Sequence, residues 1–382
     1  MQLFESIANE GAATAMRITR LVVWQVPLTS YVPYHMADKK TCDTVTSILL
    51  RVDTSEGISG WGEVCPIPHY LPAYAEGVRP ALEYLAPVII GADPIGPEAL
   101  MSRVDSWLQG HAYAKSALDL ALWDITGKVA KLPLYALLGG RQMARIPLYH
   151  SITCIAPDEM AVIAREAQAD GMTQFQVKLG ADINWEADVA RLRLVREAVG
   201  MGPLVYGDWN CAASRLDATR VGKAVAAYDI MLEQPCATLE ECAAVRAATG
   251  LPMKIDENAH DTASLLRAYD LGCMDAVALK LSKSGGLSAV RRLRDLCLHL
   301  GPQMCIEDTW GSDVTTGAIL HLAASTPSSR IMNTCDLSGY VTPRLDTHTP
   351  NRNSGHIAPP EAPGIGVNPD AERLGQPAAI IS

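Results

Sequence analysis

The feature that most constrains this chain is a rhythm. Between residues 146 and 336, eight short apolar runs recur at 146–152, 174–180, 203–208, 229–234, 252–256, 276–282, 303–308 and 330–336. Polar residues at the C-terminal ends of seven of them, Lys178, Asp208, Glu233, Asp256, Lys280, Asp308 and Asp336, follow one another at intervals of 23 to 30 residues. Short apolar runs separated by helical patterns read as buried parallel strands. Helix signals fill the gaps: Thr238-Leu239-Glu240-Glu241 has the spacing of a capping box, and residues 288–300 alternate Arg and Leu at helical period. Eight such units of about 25 residues have the size of a barrel of parallel strands wrapped by helices.

In a parallel barrel, the C-terminal strand ends form the working face. Asp208, Glu233 and Asp256 end the third, fourth and fifth strands. One such acid alone reads as a helix cap or a solvated loop residue. Three on successive strand ends would repel one another unless a hard divalent cation held them, and Mg²⁺ is the expected cofactor. Lys178 ends the second strand and Lys280 the sixth, four strands apart and so on opposite walls. A carboxylate substrate on the metal would place its α-carbon between two amines. That arrangement suits proton abstraction next to a carboxylate, with the metal steadying the enediolate and the lysines acting as base and acid. A lysine works as a base only when neutral, and a nearby cation disfavours its ammonium form. The plain alternative is that each lysine only pairs with the acids.

Upstream, residues 16–140 read as a separate α+β unit. Near-alternating β-branched stretches at 18–24 and 44–52 precede a turn and Gly60-Trp61-Gly62-Glu63, which together make an antiparallel meander. Helical periodicity follows at 73–90, 96–109 and 112–139. Residues 1–15 read as an extension without the pattern of a secretory signal. Residues 141–340 hold the barrel, and the Pro- and Gly-rich segment 341–382 is expected to return to the first unit. A net charge of −10 argues against nucleic acid or an anionic membrane as partner. Ten cysteines without a C-x-x-C pair, set within apolar runs, read as buried thiols of a cytoplasmic protein. The expected partner is a small molecule, and the expected assembly a homo-oligomer.

Gln176-Val177-Lys178, Asp208-Trp209-Asn210, Glu233-Gln234-Pro235, Asp256-Glu257 and the run from Lys280 to Gly286 together resemble the enolase superfamily, in its muconate-lactonizing/mandelate-racemase branch, over residues 16–380. The resemblance implies an α/β fold: a modified TIM barrel of (β/α)7β type under an N-terminal α+β capping domain. Two loops of that domain, 31–39 and 65–70, would close over the barrel and select the substrate. Gln176 replaces the first lysine of the usual Lys-x-Lys, Asp308 stands where mandelate racemase has a catalytic histidine, and Asp336-Leu337-Ser338 replaces the Asp-x-Asp of dipeptide epimerases. These departures look most like a group acting on proline derivatives: cis-3-hydroxy-L-proline dehydratases and proline-betaine or hydroxyproline-betaine epimerases. Ser282 to Gly286 and Thr309 to Asp313 tilt the reading toward the dehydratase. Substrate contacts are expected from Gln176, Asn210, Asp308, Trp310, Asp336, Tyr34, His69 and Tyr70, with Asp308 on the substrate ammonium. Two other classes compete. A non-catalytic metal-binding barrel would lack a lysine or a metal carboxylate, and none is lost. A metal-dependent hydrolase barrel would show strand-end histidine pairs, and no strand ends in His-x-His.

Overall fold

The computed structural model describes residues 16–69, 71–182, 184–346, 350 and 352–382. The extension at 1–15 and Tyr70 lie outside the described residues. Three antiparallel strands, β1 (Ile18–His35), β2 (Thr41–Thr54) and β3 (Ser59–Val64), form the first sheet. Helices α1 (Val78–Ile89), α2 (Pro97–Trp107) and α3 (Ala112–Ala130) pack on it.

Helix α3 is buried over most of its length. Its contact with β3 explains the Gly-x-Gly pair: a Cβ on Gly60 would come within 2.1 Å of the Ala121 carbonyl oxygen, and one on Gly62 within 1.8 Å of that of Ala117. Only glycine lets strand and helix backbones approach so closely. The helical pattern expected through residue 139 breaks at Ala130. Lys131 turns left-handed at φ 56°, and Pro133 cannot continue the ladder.

The barrel strands are β4 (His150–Ile152), β5 (Gln174–Lys178), β6 (Leu204–Asp208), β7 (Ile230–Glu233), β8 (Met253–Ile255), β9 (Ala276–Lys280), β10 (Gln303–Glu307) and β11 (Ile331–Thr334). They pair in parallel in chain order, and a parallel bridge from Leu148 to Thr334 joins the first to the last. The helices between them are α4 (Pro157–Ala169), α5 (Trp185–Val199), α6 (Arg215–Ala224), α7 (Leu239–Thr249), α8 (Thr262–Asp270), α9 (Leu287–Leu300) and α10 (Asp313–Ala324), with one extra turn at Leu281–Ser284. Seven helices between eight strands, among the described residues, make the (β/α)7β form. Beyond it, Val341–Thr342 and Ala379–Ile381 both pair antiparallel with β1. No helix of the described residues is long and apolar enough to cross a membrane.

Acids of the capping domain plug helix ends of the barrel. The Glu63 carboxylate accepts bonds from the backbone N–H groups of Ser312 (2.9 Å) and Thr315 (2.9 Å) and from the hydroxyls of Ser312, Thr315 and Ser47, at the start of α10. Asp119 accepts from the Ser288 N–H (2.8 Å) and its hydroxyl (2.5 Å), at the start of α9. Both carboxylates meet the unpaired N–H groups and positive dipole end of a helix, so the charge is matched where it is buried.

Candidate active site

Strand register sets the site. Lys178 is paired with Asp208, Asp208 with Glu233, and Lys280 with Glu307, so these side chains emerge at one level of the barrel mouth. Lys178 Nζ lies 2.5 Å from Asp208 Oδ2 and donates to Asn210 Oδ1 at 3.0 Å. Lys280 Nζ lies 2.6 Å from Asp256 Oδ2, and Lys283 Nζ lies 3.0 Å from the other oxygen of that carboxylate. The Gln176 amide donates to Asp208 (3.0 Å) and Glu233 (2.8 Å) while its oxygen accepts from the Ser151 hydroxyl (2.6 Å).

Of these groups, Lys178, Asn210, Gln176, Ser151, Lys280 and Glu307 line a chamber of about 40 Å³ together with Asp308, whereas Asp208, Glu233, Asp256 and Lys283 are not part of its wall. Its remaining wall is aromatic. Tyr34 stands 5.4 Å from Trp310, and Trp310 stands 6.5 Å from Tyr340, between ring centroids. Tyr34 comes from the end of β1, and its hydroxyl bonds that of Ser151. The Trp310 indole N–H is buried without a hydrogen-bond partner, a donor that a bound molecule can use.

Of the expected substrate contacts, Tyr34, Gln176, Asn210, Asp308 and Trp310 line this chamber. Asp336 does not. Its carboxylate caps the turn Leu337–Gly339, accepting from the Ser338 hydroxyl (2.7 Å) and the Gly339 N–H (3.1 Å), and it pairs with Arg352. Its neighbours Cys335 and Leu337 face the chamber instead, because the turn begins there and alternates the side chains. His69 is exposed and is not part of the chamber wall. Asp308 is already bonded by the N–H and hydroxyl of Ser282 and by the Thr309 N–H, so it is not a bare acceptor awaiting an ammonium.

Sequence reasoning passed over a second layer. Lys254 is fully buried, 2.8 Å from Glu233 Oε1 and 3.5 Å from Glu307 Oε1, with its ammonium 4.9 Å from the Tyr206 ring centroid. The Tyr149 hydroxyl donates to Glu307 at 2.5 Å. The signal was parity: Lys254 sits two residues before Asp256, on the same face of its strand.

Electrostatics fit a cation. The mouth gathers six carboxyls (Asp208, Glu233, Asp256, Glu257, Glu307, Asp308) against four ammonium groups (Lys178, Lys254, Lys280, Lys283); fully ionised, they leave two negative charges uncompensated. The strain shows in the acids. Burial, then the charges of Asp208 and Asp256, outweigh Lys254 and push Glu233 up to about 8. Burial and the same two neighbours raise Glu257 to about 7, and its Oε2 is buried without a partner. Burial also opposes ionisation of Asp256, yet the ammoniums of Lys280, Lys283 and Lys254 hold it well below the usual carboxylate range. Lys280, buried too, is held well above its ordinary value by Asp256 and Glu307. Among the described residues, no three acidic, thiol or imidazole groups stand in metal-holding geometry; Lys178, Lys280, Lys283, Lys254 and Gln176 occupy oxygens of Asp208, Asp256 and Glu233 instead. An oxygen-only donor set with an excess of two negative charges suits one hard divalent ion such as Mg²⁺.

Known proteins share this plan. Residues 18–139 match the family model "Mandelate racemase / muconate lactonizing enzyme, N-terminal domain", and residues 159–373 match "Enolase C-terminal domain-like". The chain is 39% identical, over 369 residues, to a cis-3-hydroxy-L-proline dehydratase of Roseibium aggregatum, covering 96% of this chain and 100% of that protein. It is 28% identical to an N-succinyl-L-Arg/Lys racemase of Bacillus cereus, covering 94% of this chain and 97% of that one. A crystal structure of an enolase-superfamily member from Roseovarius nubinhibens complexed with magnesium superimposes with a TM-score of 0.90 at 37% identity, covering 96% of this chain and 99% of that one. Barrel, cap, strand-end acids and family models agree, and the chain belongs to the enolase superfamily, in its mandelate racemase/muconate lactonizing branch.

Proposed function

We propose that this protein is a Mg²⁺-dependent hydro-lyase that dehydrates cis-3-hydroxy-L-proline to Δ¹-pyrroline-2-carboxylate. The observation that carries the reading is the pair Lys178 and Lys280, on opposite walls of one chamber, with Asp208, Glu233 and Asp256 on the arc between them. The named activity of the Roseibium aggregatum relative supports the substrate.

Asp208, Glu233 and Asp256 would hold the ion, with Glu257 as the alternative to Asp256. When bound, Mg²⁺ neutralises the substrate carboxylate and the charge that develops on it as the α-proton leaves. One lysine takes the α-proton. The C2 electron pair then expels the 3-hydroxyl, which takes a proton from an acid of the chamber. The enamine product tautomerises to the cyclic imine without help. Gln176 and Asn210 orient the acids, and Tyr34, Trp310 and Tyr340 exclude water. In the same reading, residues 16–140 are the capping domain, 141–340 the barrel and 341–382 the returning segment.

The aromatic wall also favours a second reading. Tyr34, Trp310 and Tyr340 could face a quaternary ammonium, as in racemisation of proline betaine or its hydroxylated form. One assay separates the two. Enzyme, Mg²⁺ and cis-3-hydroxy-L-proline are expected to yield an imine that condenses with o-aminobenzaldehyde. No imine, with racemisation of proline betaine, would move the assignment to the epimerase.

A further inference from the structure

Dehydration needs an acid at the β-carbon as well as a base at the α-carbon. Asp308 faces the chamber next to Lys280, and it is almost fully buried. Its carboxyl is held from behind by one residue: Ser282 donates its N–H (3.1 Å to Oδ2) and its hydroxyl (to Oδ1). The Thr309 N–H adds a bond to Oδ1 at 2.7 Å. Ser282 also belongs to the wall of a second, outer cavity of about 380 Å³, lined by His111, Tyr113, Glu257, His260 and Lys283 as well. Ser282 therefore touches both the chamber acid and a space large enough for several waters. Burial, opposed by the bonds from Ser282 and Thr309 and by the Lys280 charge, pushes Asp308 up to about 6. A carboxyl with that affinity for a proton can deliver it near neutral pH, whereas a fully ionised one cannot.

We propose that Asp308 is the catalytic acid for the departing 3-hydroxyl, reloaded from the outer cavity through the Ser282 hydroxyl. This rests on the dehydratase reading. In the step, the C2 electron pair left by α-proton removal becomes the C2=C3 bond. The C3–O bond breaks with its pair on oxygen, and the Asp308 proton joins that oxygen to give water. Ser282 then passes its hydroxyl proton to the Asp308 carboxylate and takes one from water in the outer cavity. The lysine releases the α-proton to solvent as Ser282 takes one up, so substrate gives enamine and water with no other reactant. Ser282 is a positioning and relay residue, since it does not touch the substrate.

The test partitions the two half-steps. Wild type, Asp308→Asn and Ser282→Ala are incubated with Mg²⁺ and cis-3-hydroxy-L-proline in D₂O; imine formation and deuterium at C2 of recovered substrate are both followed. In Asp308→Asn, imine formation should fall by about 10²-fold or more while C2 deuteration of unreacted substrate continues. In Ser282→Ala, whose fold loses one hydroxyl only, the same split should appear in weaker form. Parallel loss of exchange and elimination in Asp308→Asn, with intact exchange and elimination in Ser282→Ala, would make Asp308 a binding group and overturn the proposal. Elimination at the wild-type rate in Asp308→Asn would also overturn it, leaving a lysine as the acid. A wild type that forms no imine removes the dehydratase reading itself, and this control tells the two failures apart.

Discussion

Three of the four lysines at the barrel mouth, Lys178, Lys254 and Lys280, look alike in sequence and differ in what surrounds them. Lys178 and Lys280 border the chamber; Lys254 lies beneath it, between Glu233 and Glu307 and against the Tyr149 and Tyr206 rings. Removing Lys254 strands two buried carboxylates, which costs about 3–5 kcal/mol. Lys254→Met should therefore lower the urea midpoint strongly, whereas Lys178→Met and Lys280→Met should cost on the order of 10²–10⁴ in rate with a much smaller stability change. Equal unfolding midpoints for the three variants would contradict this division of roles. The strand-end residues were legible because a strand's C-terminal end carries its meaning in sequence order. Asp336 was not, since one turn past the strand the local cap and Arg352 decide where a carboxylate points. Lys254 was passed over because a lone lysine inside an apolar run gives no hint of partners that lie on other strands.

At the scale of elements, the strands of the barrel were all visible as apolar runs, and the helices as periodicity between them. What periodicity cannot show is how one unit fastens to another. Asp119, deep in a helix of the cap, holds the start of α9, and burial raises its carboxyl to about 6 against the bonds from Ser288. Its folded affinity for a proton exceeds the unfolded value near 3.9, so the folded state binds more protons between those limits. Stability from this group is full below about pH 3.9 and is lost as pH rises through about 6, a change on the order of 3 kcal/mol. Asp119→Asn should flatten that limb of the pH–stability curve. Urea unfolding of both proteins between pH 4 and 7 checks it, and parallel curves would refute it.

For the whole molecule, a chain of net charge −10 gathers six carboxyls against four ammonium groups at one mouth, where two of the acids, Glu233 and Glu257, are pushed up to about 8 and about 7. An ion that binds only the folded state stabilises it by mass action, by about 2.7 kcal/mol at a hundredfold excess over its Kd. Mg²⁺ should raise the melting temperature, chelation should reverse the gain, and Na⁺ at matched ionic strength should not reproduce it. Asp208→Asn should abolish the shift, and a shift that survives in that variant would place the ion elsewhere. The net charge pointed away from nucleic acid, but it could not show that two acids of the cap enter helix ends of the barrel. Because Glu63 and Asp119 are anchored in α10 and α9, the cap cannot rock as a rigid body without stripping buried charges of their partners. The turn Ala37–Lys39 adds a lighter tie, the Asp38 N–H bonding the Gly180 carbonyl of the barrel. The same fastening sets a rule for chimeras: a cap borrowed from a relative will seat on this barrel only if its acids match the serine and threonine that open these two helices.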